Sequence, residues 1–314
     1  MTATLQVALD LLNLHRALDI AREAVEGGAD WVEAGTPLIK SEGLEAVRQL
    51  KRAFPAKTIV ADMKIMDTGG FETEMAAKAG AGVVTVLGAS DDGTIREAVK
   101  AGQQYGCKVM VDLISVADKP RRAAEAEKLG AHYIGLHVGI DEQMRAQSPV
   151  QMVRDVVKAT RLPVAVAGGI HSESAPALVE AGAAVIIVGG AITKAKSPLD
   201  ATRAVKQAIA TRKPVATEGM KRFTAEQLRD AFAVASTPNI SDAMHRQGAM
   251  QGIVPIQPGL RMIGRAVTAR TVNGDWAKPV QAIDLAQAGD VLVIDVDGGR
   301  DAVWGELATH SCLV

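Results

Sequence analysis

A rhythm constrains this chain more than any single residue does. Over residues 1–212 a short apolar run is followed by an amphipathic segment, and the pair recurs eight times. The runs are Leu5–Leu12, Trp31–Gly35, Thr58–Ile65, Val83–Gly88, Lys108–Ile114, Tyr133–Val138, Pro163–Gly168 and Val185–Gly190. Near-continuous apolar runs of this length fit parallel strands buried on both faces. Segments between them, such as Leu14–Glu26 and Ile95–Tyr105, are rich in Ala, Glu, Lys and Arg and amphipathic, as surface helices are. Several stop on glycine, at Gly27-Gly28, Gly80, Gly106, Gly130 and Gly182, as helix C-termini do. Eight βα units in 212 residues describe a (β/α)8 barrel (TIM barrel), an α/β fold. A doubly wound open sheet demands no eightfold regularity.

Composition narrows the class of partner. Of 314 residues, 48% are hydrophobic, enough for a substantial core. The net charge is -1 and no basic run stands out, which argues against nucleic acid as the main partner. Cys107 and Cys312 lie far apart, which suits a reducing cytosol and offers no disulfide framework or CxxC metal site. Met1 to Asp10 lacks the basic and apolar regions of a secretion signal, and no run has the ~18 apolar residues of a membrane helix. A cytoplasmic location is the expectation. Cys312-Leu313-Val314 is one residue short of a prenylation box.

Active sites of such barrels lie at the C-terminal ends of the strands. Those ends carry Asp10, Glu33, Asp62 with Lys64, Asp112 and His137. Alternation along the third strand puts Asp62 and Lys64 on one side, and Asp67 follows where a loop can turn it back toward them. Buried acids and a lysine are costly unless they pair or bind something. A structural ion pair would satisfy Asp62 and Lys64, and Asp10 and Asp112 could cap loops. Convergence of so many charges on one rim favours a polar site. Strands seven and eight end in Ala167-Gly168-Gly169-Ile170 and Val188-Gly189-Gly190-Ala191-Ile192. Glycines there let backbone N–H groups approach phosphate, and barrels commonly bind phosphate after these two strands. The simpler reading is a pair of tight turns. A phosphorylated substrate, its reactive end near Glu33, Asp62, Lys64 and His137, is the expectation. Two acids on adjacent strands suit Mg²⁺. A metal with a lysine can stabilise an enediolate, and a histidine can move the proton that makes one. This points to proton abstraction beside a carbonyl, in an aldolase, a decarboxylase or an isomerase.

The segment Asp62-Met63-Lys64-Ile65-Met66-Asp67 resembles the Asp-x-Lys-x-x-Asp signature of the orotidine-5′-phosphate decarboxylase superfamily. Within it, Leu5–Asp10, Glu33–Lys40, Asp62–Gly70, His137–Asp141, Ala167–Ile170 and Val188–Thr193 resemble the 3-hexulose-6-phosphate synthases, from about Leu5 to Ala210. The related 3-keto-gulonate-6-phosphate decarboxylases carry arginines soon after the strand-six histidine and in the strand-eight loop. Neither His137–Asp141 nor Val188–Thr193 contains one. Orotidylate decarboxylases lack the strand-two glutamate as a metal ligand. The resemblance implies reversible condensation of formaldehyde with D-ribulose 5-phosphate to D-arabino-hex-3-ulose 6-phosphate. It implies Glu33 and Asp62 as Mg²⁺ ligands, Lys64 stabilising the enediolate, and His137 as the base. It implies Asp10 and Asp67 as orienting residues, with Gly168, Gly169, Ile170, Gly189, Gly190 and Ala191 at the phosphate. It further implies a homodimer in which Asp67 reaches the partner's site.

Residues 213–222 break the rhythm and read as a linker. Beyond it, Thr224-Ala-Glu-Gln227 forms a capping box for a helix through Val234, Ser236–Asp242 opens another, and strands are expected near Gly264–Thr271 and Val291–Val296. Asn239–Ala243, Gly264–Thr268, Ala288–Val293 and Ala302–Leu307 resemble the regulators of RNase E activity and 4-hydroxy-4-methyl-2-oxoglutarate aldolases. After the stretch matched by Ala302–Leu307 that family continues with a further strand and an Asp-Gly-…-Arg-Asp motif, and nothing following Leu307 matches it. The resemblance therefore implies a partial module over 223–314, with a partial pocket at Gly289, Trp304, Gly305 and Glu306. Such a module would expose apolar surface unless a partner chain completes it. Two other functions compete with the synthase reading. One is a decarboxylase acting on a 3-keto sugar-acid phosphate. The other is a regulatory protein working through the C-terminal module.

Overall fold

A computed structural model describes residues 3–137, 149–216, 227–250, 252–257 and 259–313. The chain divides into two compact units, Met1–Arg222 and Phe223–Val314.

In the first unit eight parallel strands close on themselves: β1 (Thr4–Leu9), β2 (Trp31–Ala34), β3 (Thr58–Ile65), β4 (Val83–Leu87), β5 (Lys108–Asp112), β6 (Tyr133–His137), β7 (Val164–Ala167) and β8 (Val185–Val188). β1 pairs with both β2 and β8, so no edge remains open. Helices follow the strands, among them Leu14–Glu26, which the apolar pattern anticipates to the residue, and Asp92–Tyr105. Most strands end earlier than their apolar runs, because the last residues of each run already turn into the loop. Val138, in the expected sixth strand, lies outside the described residues.

Alternation sorts the side chains into two layers. Leu5, Val7, Leu9, Val32, Ile59, Val109, Ile134, Leu136, Val166 and Ile186 point outward and are buried under the helices. Val60, Val83, Met110, Ala165 and Val185 point inward as a separate cluster, with Trp31, Tyr133 and Ile187 against it. That cluster plugs the barrel and leaves the layer above it for polar groups. The helix-ending glycines do what their positions suggest: Gly28, Gly80, Gly106, Gly130 and Gly182 all have positive φ.

β3 departs from a regular strand. Its register with β4 shifts between Ala61 and Ile65, and Lys64 has φ 48. This bulge, rather than simple alternation, aims Lys64.

After the helix Pro198–Thr211 the chain bonds back to the loop after β7. Val215 N–H donates to Ser172 O (3.3 Å), and Ser172 Oγ donates to Val215 O. Residues 217–222 of the expected linker and Thr224–Glu226 of the expected capping box lie outside the described residues.

In the second unit β9 (Ala266–Arg270) and β10 (Val291–Asp295) form a two-stranded parallel sheet, within the expected strand regions. Ser236 caps the helix Thr237–Ala243 by accepting from Asn239 N–H. Pro279, Ala282 and Val303 are its buried apolar residues among those described.

Candidate active site

A cavity of about 480 Å³ opens at the C-terminal ends of the barrel strands. Its walls include Asp10, Glu33, Asp62, Lys64, Asp112 and His137, so the strand-end residues do converge. Gly168, Gly169, Gly189 and Gly190 line it too. Gly168 and Gly169 have φ 111 and 63, conformations that favour glycine, and the short helix Gly190–Thr193 starts at Gly189.

Lys64 is the hub. Its Nζ lies 3.0 Å from Asp62 Oδ2 and 3.1 Å from Asp112 Oδ2. Burial works against its charge, but Asp62 and Asp112 outweigh burial and raise the ammonium above an ordinary lysine. Lys64 is therefore a fixed cation, not a proton acceptor at neutral pH. Asp62 is held from both sides: Thr36 Oγ1 donates to Oδ2 and Thr85 Oγ1 to Oδ1, each at 2.7 Å. Asp112 Oδ1 accepts from Ile114 N–H at 3.0 Å.

Glu33 is buried, and Gln6 Nε2 donates to its Oε2. Burial first, then repulsion from Asp62 and Asp10, raises its carboxyl well above the usual range; Gln6 and Lys64 only partly offset this. Asp10 stands at the cavity mouth. Its carboxyl is raised by partial burial and then by Asp62, while Lys64 and His137 draw it down. Gly35 makes room for Asp10, since a Cβ on Gly35 would overlap Asp10 Oδ1.

The lining carboxylates Asp10, Glu33, Asp62 and Asp112 face one lysine, leaving an excess of negative charge. An all-oxygen donor set short of positive charge fits a hard divalent cation. Among the described residues, no three acidic, histidine or cysteine side chains form a ready metal cage. Such a cation would thus rely on substrate and water for its remaining ligands, as Mg²⁺ commonly does.

Asp67 does not join this group within the chain. It is exposed, lies outside the cavity lining, and its Oδ1 accepts from Thr68 N–H at 2.6 Å. The loop after β3 therefore corrects the expectation that Asp67 turns back toward Asp62 and Lys64. Ile170 and Ala191 pack with the hydrophobic core and are not part of the lining. Gln6, Thr36 and Thr85 escaped the strand-end reading. The i, i+2 rule carried one layer deeper from Asp10 and Ala8 leads to Gln6. Thr36 sits at the first residue of the helix Thr36–Glu42 and Thr85 in mid-strand, where sequence alone gives little signal.

A model of the orotidine 5′-phosphate decarboxylase / HUMPS family matches residues 3–205. The chain belongs to that family. Within it, a 3-hexulose-6-phosphate synthase of Mycobacterium gastri is 45% identical over 206 residues, covering 66% of this chain and 99% of the relative. The synthase of Bacillus subtilis is 41% identical, covering 65% and 98%. A 3-hexulose-6-phosphate synthase crystal structure superposes with TM-score 0.62 at 43% identity, covering 66% of this chain and 99% of that one. KGPDC from Streptococcus mutans gives TM-score 0.61 at 29% identity, covering 67% and 99%. The family thus accounts for the barrel. A second family model, Aldolase/RraA, matches residues 237–314. Among the described residues no helix is long and apolar enough to cross a membrane.

Proposed function

We propose that the barrel is a 3-hexulose-6-phosphate synthase, an aldehyde-lyase that joins formaldehyde to D-ribulose 5-phosphate and runs in both directions. The observation that carries this reading is Lys64, held as a cation between Asp62 and Asp112 inside a cavity that His137 also lines. Likeness over 98–99% of the length of two synthases, at 41–45% identity, supports it over the decarboxylase.

The phosphate sits at Gly168, Gly169, Gly189 and Gly190, against backbone N–H groups. His137 takes a proton from C1 of the sugar, which leaves an enediolate. Lys64 stands beside the oxygen that becomes negative and stabilises it electrostatically. C1 then attacks the formaldehyde carbon, one C–C bond forms as the C=O π bond opens, and the new alkoxide takes the proton that His137 removed from C1. Asp10 orients the sugar at the cavity mouth. Glu33 and Asp62 would hold Mg²⁺. When bound, the cation supplies positive charge to the substrate oxygens.

The chain acts as a homodimer in this reading, with Asp67 reaching the partner's cavity. Exposed Met66, Phe71 and Met75, beside Asp67 in sequence, support a partner at this face. Sedimentation of Phe71→Asp as a monomer, against a wild-type dimer, checks it. Residues 213–222 serve as a linker, and the location is cytoplasmic.

Formaldehyde consumption with ribulose 5-phosphate tests the function. Lys64→Ala should lower kcat/KM by at least about 100-fold. EDTA should stop turnover, and added Mg²⁺ should restore it. Absence of wild-type turnover in a folded dimer would defeat the synthase reading.

A further inference from the structure

We propose that Gln6 is a positioning residue that fixes the Glu33 carboxylate for metal binding; this rests on the reading of Glu33 as a metal ligand. Gln6 points into the barrel from β1 and is 1% exposed. Its Nε2 donates to Glu33 Oε2, while its Oε1 is buried with no hydrogen-bond partner among the described residues. Turned the other way, the amide would set its oxygen against an oxygen of Glu33 in the ionised form that binds a metal, two acceptors face to face. Glu33 therefore dictates the amide's orientation, and Oε1 is left unpaired as a consequence.

An unpaired buried carbonyl destabilises a fold. The neighbouring inward layer is apolar, with Val60, Met110, Ala165 and Val185. A methionine or leucine at position 6 would extend that layer without an orphaned oxygen. Packing thus gives no reason for glutamine here, whereas Glu33 does. Asp62, the other acid of the pair, is held by neutral donors in the same manner, the hydroxyls of Thr36 and Thr85. Each acid has its own uncharged support. Such outer-layer donors orient metal ligands and govern affinity.

The experiment measures Mn²⁺ binding by electron paramagnetic resonance and the metal-free melting temperature, so it needs no turnover. The proteins are the full-length wild type, Gln6→Met, Gln6→Leu and Thr73→Val. Thr73 is the control, because its Oγ1 is also buried and unpartnered but lies outside the cavity. Both Gln6 variants should bind Mn²⁺ about 10–100-fold more weakly, with Tm unchanged or raised. Thr73→Val should bind Mn²⁺ as the wild type does. Unchanged affinity in both Gln6 variants would overturn the proposal. So would a lowered Tm in both, which would make Gln6 a packing residue. Weakened binding in Thr73→Val would make the effect a general one of buried polar groups and overturn it equally. Failure of the wild type to bind Mn²⁺ would remove the metal reading first and this proposal with it, leaving the synthase reaction to the turnover assay.

Discussion

The barrel and the C-terminal unit use the same ingredients, parallel strands with helices, yet only one of them closes. Eight strands in a ring leave no unpaired edge, and alternation buries both faces of every strand. Among the described residues of the second unit, two parallel strands leave both outer edges unpaired, and parallel sheets are stable where both faces are covered. The consequence is visible in burial. The barrel holds a continuous core from Ala3 to Ile209, whereas Ile253, Val254, Ile256, Leu260, Met262 and Leu307 of the second unit are exposed. Closure, not helix or strand content, decides whether apolar residues become a core.

The sharpest way to break this comparison is a matched pair of leucines. Leu5 is fully buried in β1, and Leu307 is 87% exposed. Leu5→Ala should destabilise the barrel by about 2–5 kcal/mol, seen as a lowered melting temperature. Leu307→Ala should stay within about 0.5 kcal/mol. A comparable loss at Leu307 would mean that another chain covers it in solution.

A pair of glycines probes the site in the same terms. A Cβ on Gly35 would overlap Asp10 Oδ1 and lie 2.8 Å from Leu9 O, while one on Gly305 would meet nothing within 4 Å. Gly35→Ala must displace Asp10 or the end of β2. Steady-state kinetics should show kcat/KM down about 100-fold, the scale of a small misplacement of reacting groups. Gly305→Ala should leave turnover unchanged. Equal kinetics in the two variants would show that Asp10 has slack the packing does not suggest.

How far the sequence reveals this arrangement depends on how local the cause is. The eight strands are legible because burial on both faces writes itself as apolar runs. Asp62, Lys64, Asp112 and His137 are legible because strand ends of a barrel converge. Gln6 is not, because a glutamine inside an apolar run reads as an irregularity until Glu33 is seen beside it. The aim of Lys64 depends on a bulge, and a bulge depends on the neighbouring strand β4, which the local pattern does not encode. Thr36, at the first turn of the helix Thr36–Glu42, and Thr85, in β4, reach Asp62 from different elements, a contact without any sequence spacing. Asp67 shows the opposite failure: its proximity in sequence suggests the cavity, but the loop after β3 turns it outward. The bond between Val215 and Ser172 is invisible for the same reason as Thr85, since 43 residues separate its partners.

Acid titration gives the smallest effect and tests whether the two units unfold separately. Glu127 accepts from Arg161 N–H, Thr160 Oγ1 and Arg161 Nε at 2.7–2.9 Å, tying the helix Lys119–Lys128 to the approach to β7. Those bonds, the backbone N–H foremost, hold its carboxyl down at about 2, against 4.5 ordinarily. A carboxyl depressed on folding contributes stability above its unfolded value, and the contribution is lost as pH falls through the folded one. Glu127→Gln should therefore flatten the barrel's melting-temperature profile between about pH 4.5 and 2 and leave it parallel to wild type above. Asp290 is depressed as well, by Arg265, so the sign is the same, but it lies in the second compact unit. Asp290→Asn should leave the barrel's acid limb where it is. If calorimetry instead shows both substitutions moving one shared transition, the two units unfold together, and the contrast between a closed and an open sheet describes their packing but not their stability.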